Sequence, residues 1–241
     1  MQIPPIHWEE SFCREAFSLF GLVTLGPPYR GGPPVRRIRG APFRTVTVTE
    51  RTGLAARLSA RSAARALRRA GVREAVFPEG YTVPPVFERY GIKPVSPVPL
   101  YRATAASIVR LTLRQQAMPE AGITLAFTAG RVTPELAAAV RALASCARYI
   151  TLAVPDCEAL TRMLLREYGL AARIAANGEA IRADLTVCFD PFPAEGPCLP
   201  LYSEALPVSY DTPEDCPVPL LTALWRAGTV DASSLSVRSV G

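Results

Sequence analysis

Apolar and polar positions along this chain change rhythm several times, and each change marks an element. Residues 43–49, Phe-Arg-Thr-Val-Thr-Val-Thr, form a β-branched run that predicts a strand, ended by a turn at 50–53. Helical spacing follows over 54–70, with Leu58, Ala63, Leu67 and Ala70 on one side, Arg57, Arg61, Arg65 and Arg68 on another, and Gly71 as the stop. A second strand at 74–77 runs through Pro78-Glu79-Gly80 into a short helix ending at Tyr90-Gly91. The extended stretch 92–98 is interrupted by proline and belongs at an edge or runs into a loop. Residues 100–116 predict a crossover helix, apolar on much of its circumference through Ala105, Ile108, Val109, Leu111 and Leu113.

The same grammar returns at 123–193. A strand at 123–127 precedes a helix opened by Thr133 as cap, Pro134 in the first turn and Glu135 near the positive end. A strand at 149–154 leads to a helix that Asp156 is expected to cap and Gly169 to end, and a weak strand lies at 171–175. After the Asn177-Gly178 turn, 183–189 reads as a buried strand running into Asp190-Pro-Phe-Pro. Further on, 202–210 predicts a strand, 218–227 a helix, and 235–240 an extended end.

Two stretches thus share one plan. Tyr90 and Tyr168 lie 78 residues apart and Pro78 and Pro155 lie 77 apart, each tyrosine followed by glycine. A duplication and the general likeness of βαβ units explain this equally well. Strands alternating with helices imply an α/β fold, a mostly parallel sheet with flanking helices built from two βαβ-based units, the second Rossmann-like. The expected organisation is a Pro/Gly-rich extension at 1–42, a first α/β unit with its crossover helix at 43–118, the Rossmann-like unit at 119–195, and a segment at 196–241 that completes the core.

Composition narrows this picture. With 241 residues and 49% hydrophobic content the chain can bury a sizeable core. The apolar run 16–26 is too short to span a bilayer and follows Glu9, Glu10 and Glu15 rather than a basic segment, so a cytoplasmic protein with no membrane partner is expected. Six cysteines without a CxxC pair, and His7 as the one histidine, predict reduced structural thiols and no metal site. The net charge of +6 rests on 26 arginines and one lysine, Lys93; it permits an anionic ligand without requiring nucleic acid. The stripes at Arg36, Arg37 and Arg39 and at Arg57–Arg68 read first as solvated faces.

The order of elements over 123–193, and Ala183-Asp184-Leu185-Thr186-Val187 in the last strand, resemble the dinucleotide-binding domain of shikimate-dehydrogenase-like oxidoreductases. That resemblance implies a Rossmann-like fold and NAD(P). In its place for a GxGxxG turn stand Thr128, Gly130 and Thr133, so one glycine remains where three would let the backbone turn tightly and approach a pyrophosphate. Ala153 and Val154 stand where an acid would bind ribose, and the catalytic lysine and aspartate pair has no clear match.

Two turns carry the candidate chemistry. Arg51 and Thr52 in one, and Thr128, Gly130, Arg131 and Thr133 in the other, put an arginine and hydroxyls beside open N–H groups at a helix start, where phosphate or carboxylate binds. Asp190 follows a strand and joins them as a candidate. Cys188 reads as core rather than nucleophile. The expected function is non-catalytic binding of a small anion, or a regulatory or scaffolding role with a protein partner and no cofactor. The alternatives are a divergent nucleotide-dependent enzyme, such as an NAD(P)-linked oxidoreductase, and a nucleic-acid-binding protein.

Overall fold

The computed structural model describes residues 20–26, 32–49, 53–119, 122–176, 179, 181–193, 195–212 and 216–239. It is an α/β protein of two compact units, one formed by residues 1–95 and 219–230, the other by 96–218 and 231–241.

The first unit carries β1 (Phe20–Leu25), β2 (Val35–Ile38), β3 (Ala41–Val48), α1 (Leu54–Arg69), β4 (Glu74–Val76), α2 (Pro85–Arg89) and β5 (Lys93–Pro94). Its strands lie in the order β2-β3-β1-β4-β5. All pairings are parallel except that of β2 with β3, a hairpin closed by Arg39 and Gly40, both at positive φ. Two parts of the expected extension are therefore strands, and one of them is the centre of the sheet. Its Phe-Gly-Leu-Val-Thr-Leu is a short continuous apolar run, which suits a strand covered on both faces. Gly26, Pro27 and Pro28 just beyond it hide that in the sequence. The Arg36 and Arg37 pair lies on the exposed edge strand, where charge discourages further pairing.

Over this sheet α1 buries Ala60, Ala63, Ala64 and Leu67. The small residues let it come close: a Cβ on Gly21 of β1 would meet Leu67 at 3.1 Å. Leu58, expected on the packed side, is instead 65% exposed, because the buried arc is centred on the alanines rather than on it.

The second unit begins with α3 (Val98–Ala103) and α4 (Ala105–Gln115), so the expected crossover helix is two helices that cluster with this unit. Thr104 breaks them. Its buried hydroxyl donates to the Leu100 carbonyl at 2.9 Å and lies 2.7 Å from the Tyr210 hydroxyl. There follow β6 (Ile123–Thr128), α5 (Pro134–Leu143), β7 (Ala147–Ala153), α6 (Glu158–Tyr168), β8 (Ala172–Ile174), β9 (Leu185–Cys188) and β10 (Cys198–Pro200). The sheet order is β10-β9-β6-β7-β8, with every pairing parallel. Numbered within the unit that is 5-4-1-2-3, the Rossmann order. Phe127, Leu125, Leu136 and Leu143 are fully buried at its centre. A two-stranded antiparallel piece, β11 (Val208–Tyr210) and β12 (Val237–Ser239), completes this unit. The expected strand at 202–210 is confined to β11.

Between those last two strands α7 (Val218–Arg226) serves the first unit. Arg226 pairs with Glu74 at 2.7 Å and its guanidinium lies 5.0 Å from the centre of the Phe20 ring.

Candidate functional site

In an open parallel sheet the ligand crevice lies beyond the carboxyl ends of the strands, where connections leave in opposite directions. In the second unit that point falls between β6 and β9. The chain leaves β6 through Ala129–Val132 into α5, whose cap is Thr133: its hydroxyl accepts the Leu136 N–H at 3.2 Å. Pro134 occupies the first turn and Glu135 follows it, as their order in the sequence predicts.

Across the crevice, Asp190 stands two residues beyond β9. One carboxylate oxygen accepts the Gly130 N–H at 2.8 Å, and the other accepts from Arg102 Nη2 at 2.9 Å. The same Nη2 donates to the Phe189 carbonyl. Arg102 comes from α3, where it is the single charge in a six-residue helix. Its Nε is buried without a hydrogen-bond partner, which leaves the guanidinium dependent on Asp190 and Phe189. Both side chains of the pair remain partly open, at 28% for Arg102 and 44% for Asp190. The Asp190 carboxylate is thus held between one backbone N–H and one guanidinium.

The other candidates divide. Arg131 is exposed beside this turn. Thr128 is fully buried at the end of β6, in register with Cys188 of β9, and its hydroxyl has no hydrogen-bond partner among the described residues. Burial pushes the Cys188 thiol's pKa up. Arg51 and Thr52 lie outside the described residues. Asp156 is not the cap of α6: the cap position is Cys157, no side chain caps it, and Asp156 itself sits at φ 54° in the preceding turn. The left-handed backbone of Asp156, which the residue type alone does not reveal, is not the extended conformation of a capping residue. Arg102 is the residue of this arrangement that the sequence does not single out, because its isolation in α3 emerges only where the expected helix over 100–116 breaks at Thr104.

The dinucleotide reading can be tested on these residues. A pyrophosphate would sit at the Gly130 turn, where the Asp190 carboxylate stands and would repel it. Thr128 and Thr133 fill two of the three glycine positions, and β7 ends in Ala153 and Val154 without an acid for ribose. The residues present do not fit NAD(P).

No protein-family model matches the chain. No curated protein matches it either. Solved structures similar to it include Rhodotorula graminis D-mandelate dehydrogenase (TM-score 0.34, 10% identity, covering 72% of this chain and 66% of that one). They also include L-tryptophan dehydrogenase from Nostoc punctiforme (0.33, 11%, 70% and 55%) and Listeria monocytogenes shikimate 5-dehydrogenase (0.27, 8%, 72% and 68%). The aligned part spans just over half of the tryptophan dehydrogenase chain. At such scores these likenesses carry no argument about chemistry, and the Rossmann-like description rests on the strand order itself. No helix among the described residues is long and apolar enough to cross a membrane, and among them no cluster of His, Cys, Asp or Glu could hold a metal ion.

Proposed function

We propose that this is a non-catalytic α/β protein whose second unit binds a small anion, a carboxylate or a phosphate, at the turn between β6 and α5. One observation supports this above the others: the Gly130 N–H and the Arg102 guanidinium both point at a single carboxylate, that of Asp190. Two converging donors beside a helix start are the chemistry that holds an anion. An entering ligand would take the place of Asp190, with exposed Arg131 close by in the same turn. Such exchange gives a binding event that also releases the segment after β9, which suits a regulatory module more than a catalyst.

Calorimetric titration with phosphate, acetate and a short dicarboxylate tests the reading. Asp190→Ala should raise anion affinity by about tenfold, since it removes both the competitor and its charge. Arg102→Met, built on Asp190→Ala, should abolish the gain. Absence of anion binding in both the natural chain and Asp190→Ala would overturn the proposal, as would micromolar binding of NAD or NADP.

A further inference from the structure

The first unit presents a different surface, on the outer side of α1. Leu54 and Leu58 are 77% and 65% exposed, and Arg61, Arg65 and Arg68 are exposed in line with them. The steps along this row are four, three, four and three residues, the spacing of a heptad seam, which keeps one straight stripe along a helix. Arg57 and Arg69, also exposed, flank it on opposite sides. No acidic residue occurs anywhere in α1, and among the described residues no ion pair involves these five arginines. Exposed leucine continuing a row of unpaired arginine is unlike an ordinary solvated face, where apolar residues are scattered and opposite charges are mixed.

We propose that this stripe docks an acidic amphipathic helix of a protein partner, with apolar side chains against Leu54 and Leu58 and carboxylates against Arg61, Arg65 and Arg68. Charge complementarity requires an anionic partner, and the shape of the stripe selects among them. A nucleic-acid backbone is anionic throughout and gives the two leucines nothing to bury against. A lipid surface engages a broad apolar face with cations at its margins, whereas this stripe is one residue wide and its arginines lie on the seam itself. A second helix covers a straight seam of this width, and carboxylates at matching positions form bidentate contacts with guanidinium groups.

The test uses the full chain and four probes: a synthetic helical peptide with leucine and glutamate in heptads, the same peptide with lysine for glutamate, a DNA duplex, and phosphatidylserine vesicles. The acidic peptide should bind, and Leu58→Ser and Arg65→Glu should each weaken it by about tenfold. The double variant Arg61→Glu/Arg65→Glu should turn preference toward the lysine peptide, a gain that unfolding cannot imitate. Failure of the acidic peptide to bind would overturn the proposal. So would binding that these variants leave unchanged, or a duplex or vesicle interaction that depends on the stripe when the peptide does not.

Discussion

Each of the two units has a five-stranded sheet, yet the strands are assembled differently. In the second, the strand–helix–strand step from β6 through α5 to β7 joins neighbours in the sheet, and β6 is central. In the first, the corresponding step from β3 through α1 to β4 passes over β1, which pairs with both. The repeated order of elements therefore hides two topologies. A helix-linked strand pair fixes the direction of its strands, while the neighbours depend on what arrives from elsewhere in the chain. One consequence is functional. In the second unit the turn after β6 opens onto the switch point; in the first, the switch point lies between β1 and β4, so the turn after β3 is not its counterpart. The strands that precede the two arginine-bearing turns of the sequence occupy different places in their sheets.

The sharpest way to break this comparison is to hollow each core. Phe43 in β3 and Phe127 in β6 are both fully buried. Replacing either by alanine should cost about 3–5 kcal/mol, from lost burial and the cavity left behind. Hydrogen exchange read amide by amide during mild denaturation separates the effects. Phe43→Ala should release the amides of β1, β3 and β4, and Phe127→Ala those of β6, β7 and β9. Equal release of both sheets by either substitution would show one cooperative body, and the distinction between the units would lose its energetic meaning.

Several of these features were legible in the sequence and others were not, for physical reasons. The elements from β6 to β9 announce themselves through cap, proline, apolar stripe and closing glycine, all of them local signals. β1 does not, because its short run carries no clear period and Pro27-Pro28 just beyond it imitates a loop. The interruption of the helix at Thr104 depends on Tyr210, over a hundred residues away. Asp190 was visible as an acid after a strand, but its meaning comes from Gly130 and Arg102, 60 and 88 residues distant. Residue types mark where an anion could bind; the tertiary structure decides that the chain itself supplies one.

A second prediction concerns alkaline pH. Burial holds the Tyr210 phenol well above its ordinary value of 10.0; the hydrogen bond with Thr104 opposes this and the neighbouring Tyr101 adds to it. A raised folded-state pKa means that the unfolded chain loses its proton first. The contribution of Tyr210 is therefore complete below about pH 10 and is lost as pH rises beyond it. Tyr210→Phe should flatten that decline while costing about 1 kcal/mol at neutral pH through the lost hydrogen bond to Thr104. In the first unit Tyr81 is raised by burial as well, but it is only partly buried and stacks on Phe77. Urea midpoints measured from pH 8 to 11 should therefore fall more steeply for amides of the second unit. An unchanged slope in Tyr210→Phe would show that another group carries the effect.

The smallest effect contrasts the two helix starts. α5 begins under the Thr133 hydroxyl, whereas α1 begins at Gly53, at φ 89°, with no side-chain cap. Thr133→Ala should lower stability by about 1 kcal/mol and expose the Leu136 amide, which that hydroxyl satisfies. The same loss should reach the anion receptor, because the turn carrying Gly130 is anchored on one side by that cap and on the other by Asp190. Faster exchange at Leu136 together with weaker anion binding in the Thr133→Ala/Asp190→Ala protein than in Asp190→Ala would establish the link. Unaltered binding beside a frayed helix end would show that Arg102 and the Gly130 N–H hold their positions without it, placing the receptor's rigidity in β6 and α3 instead.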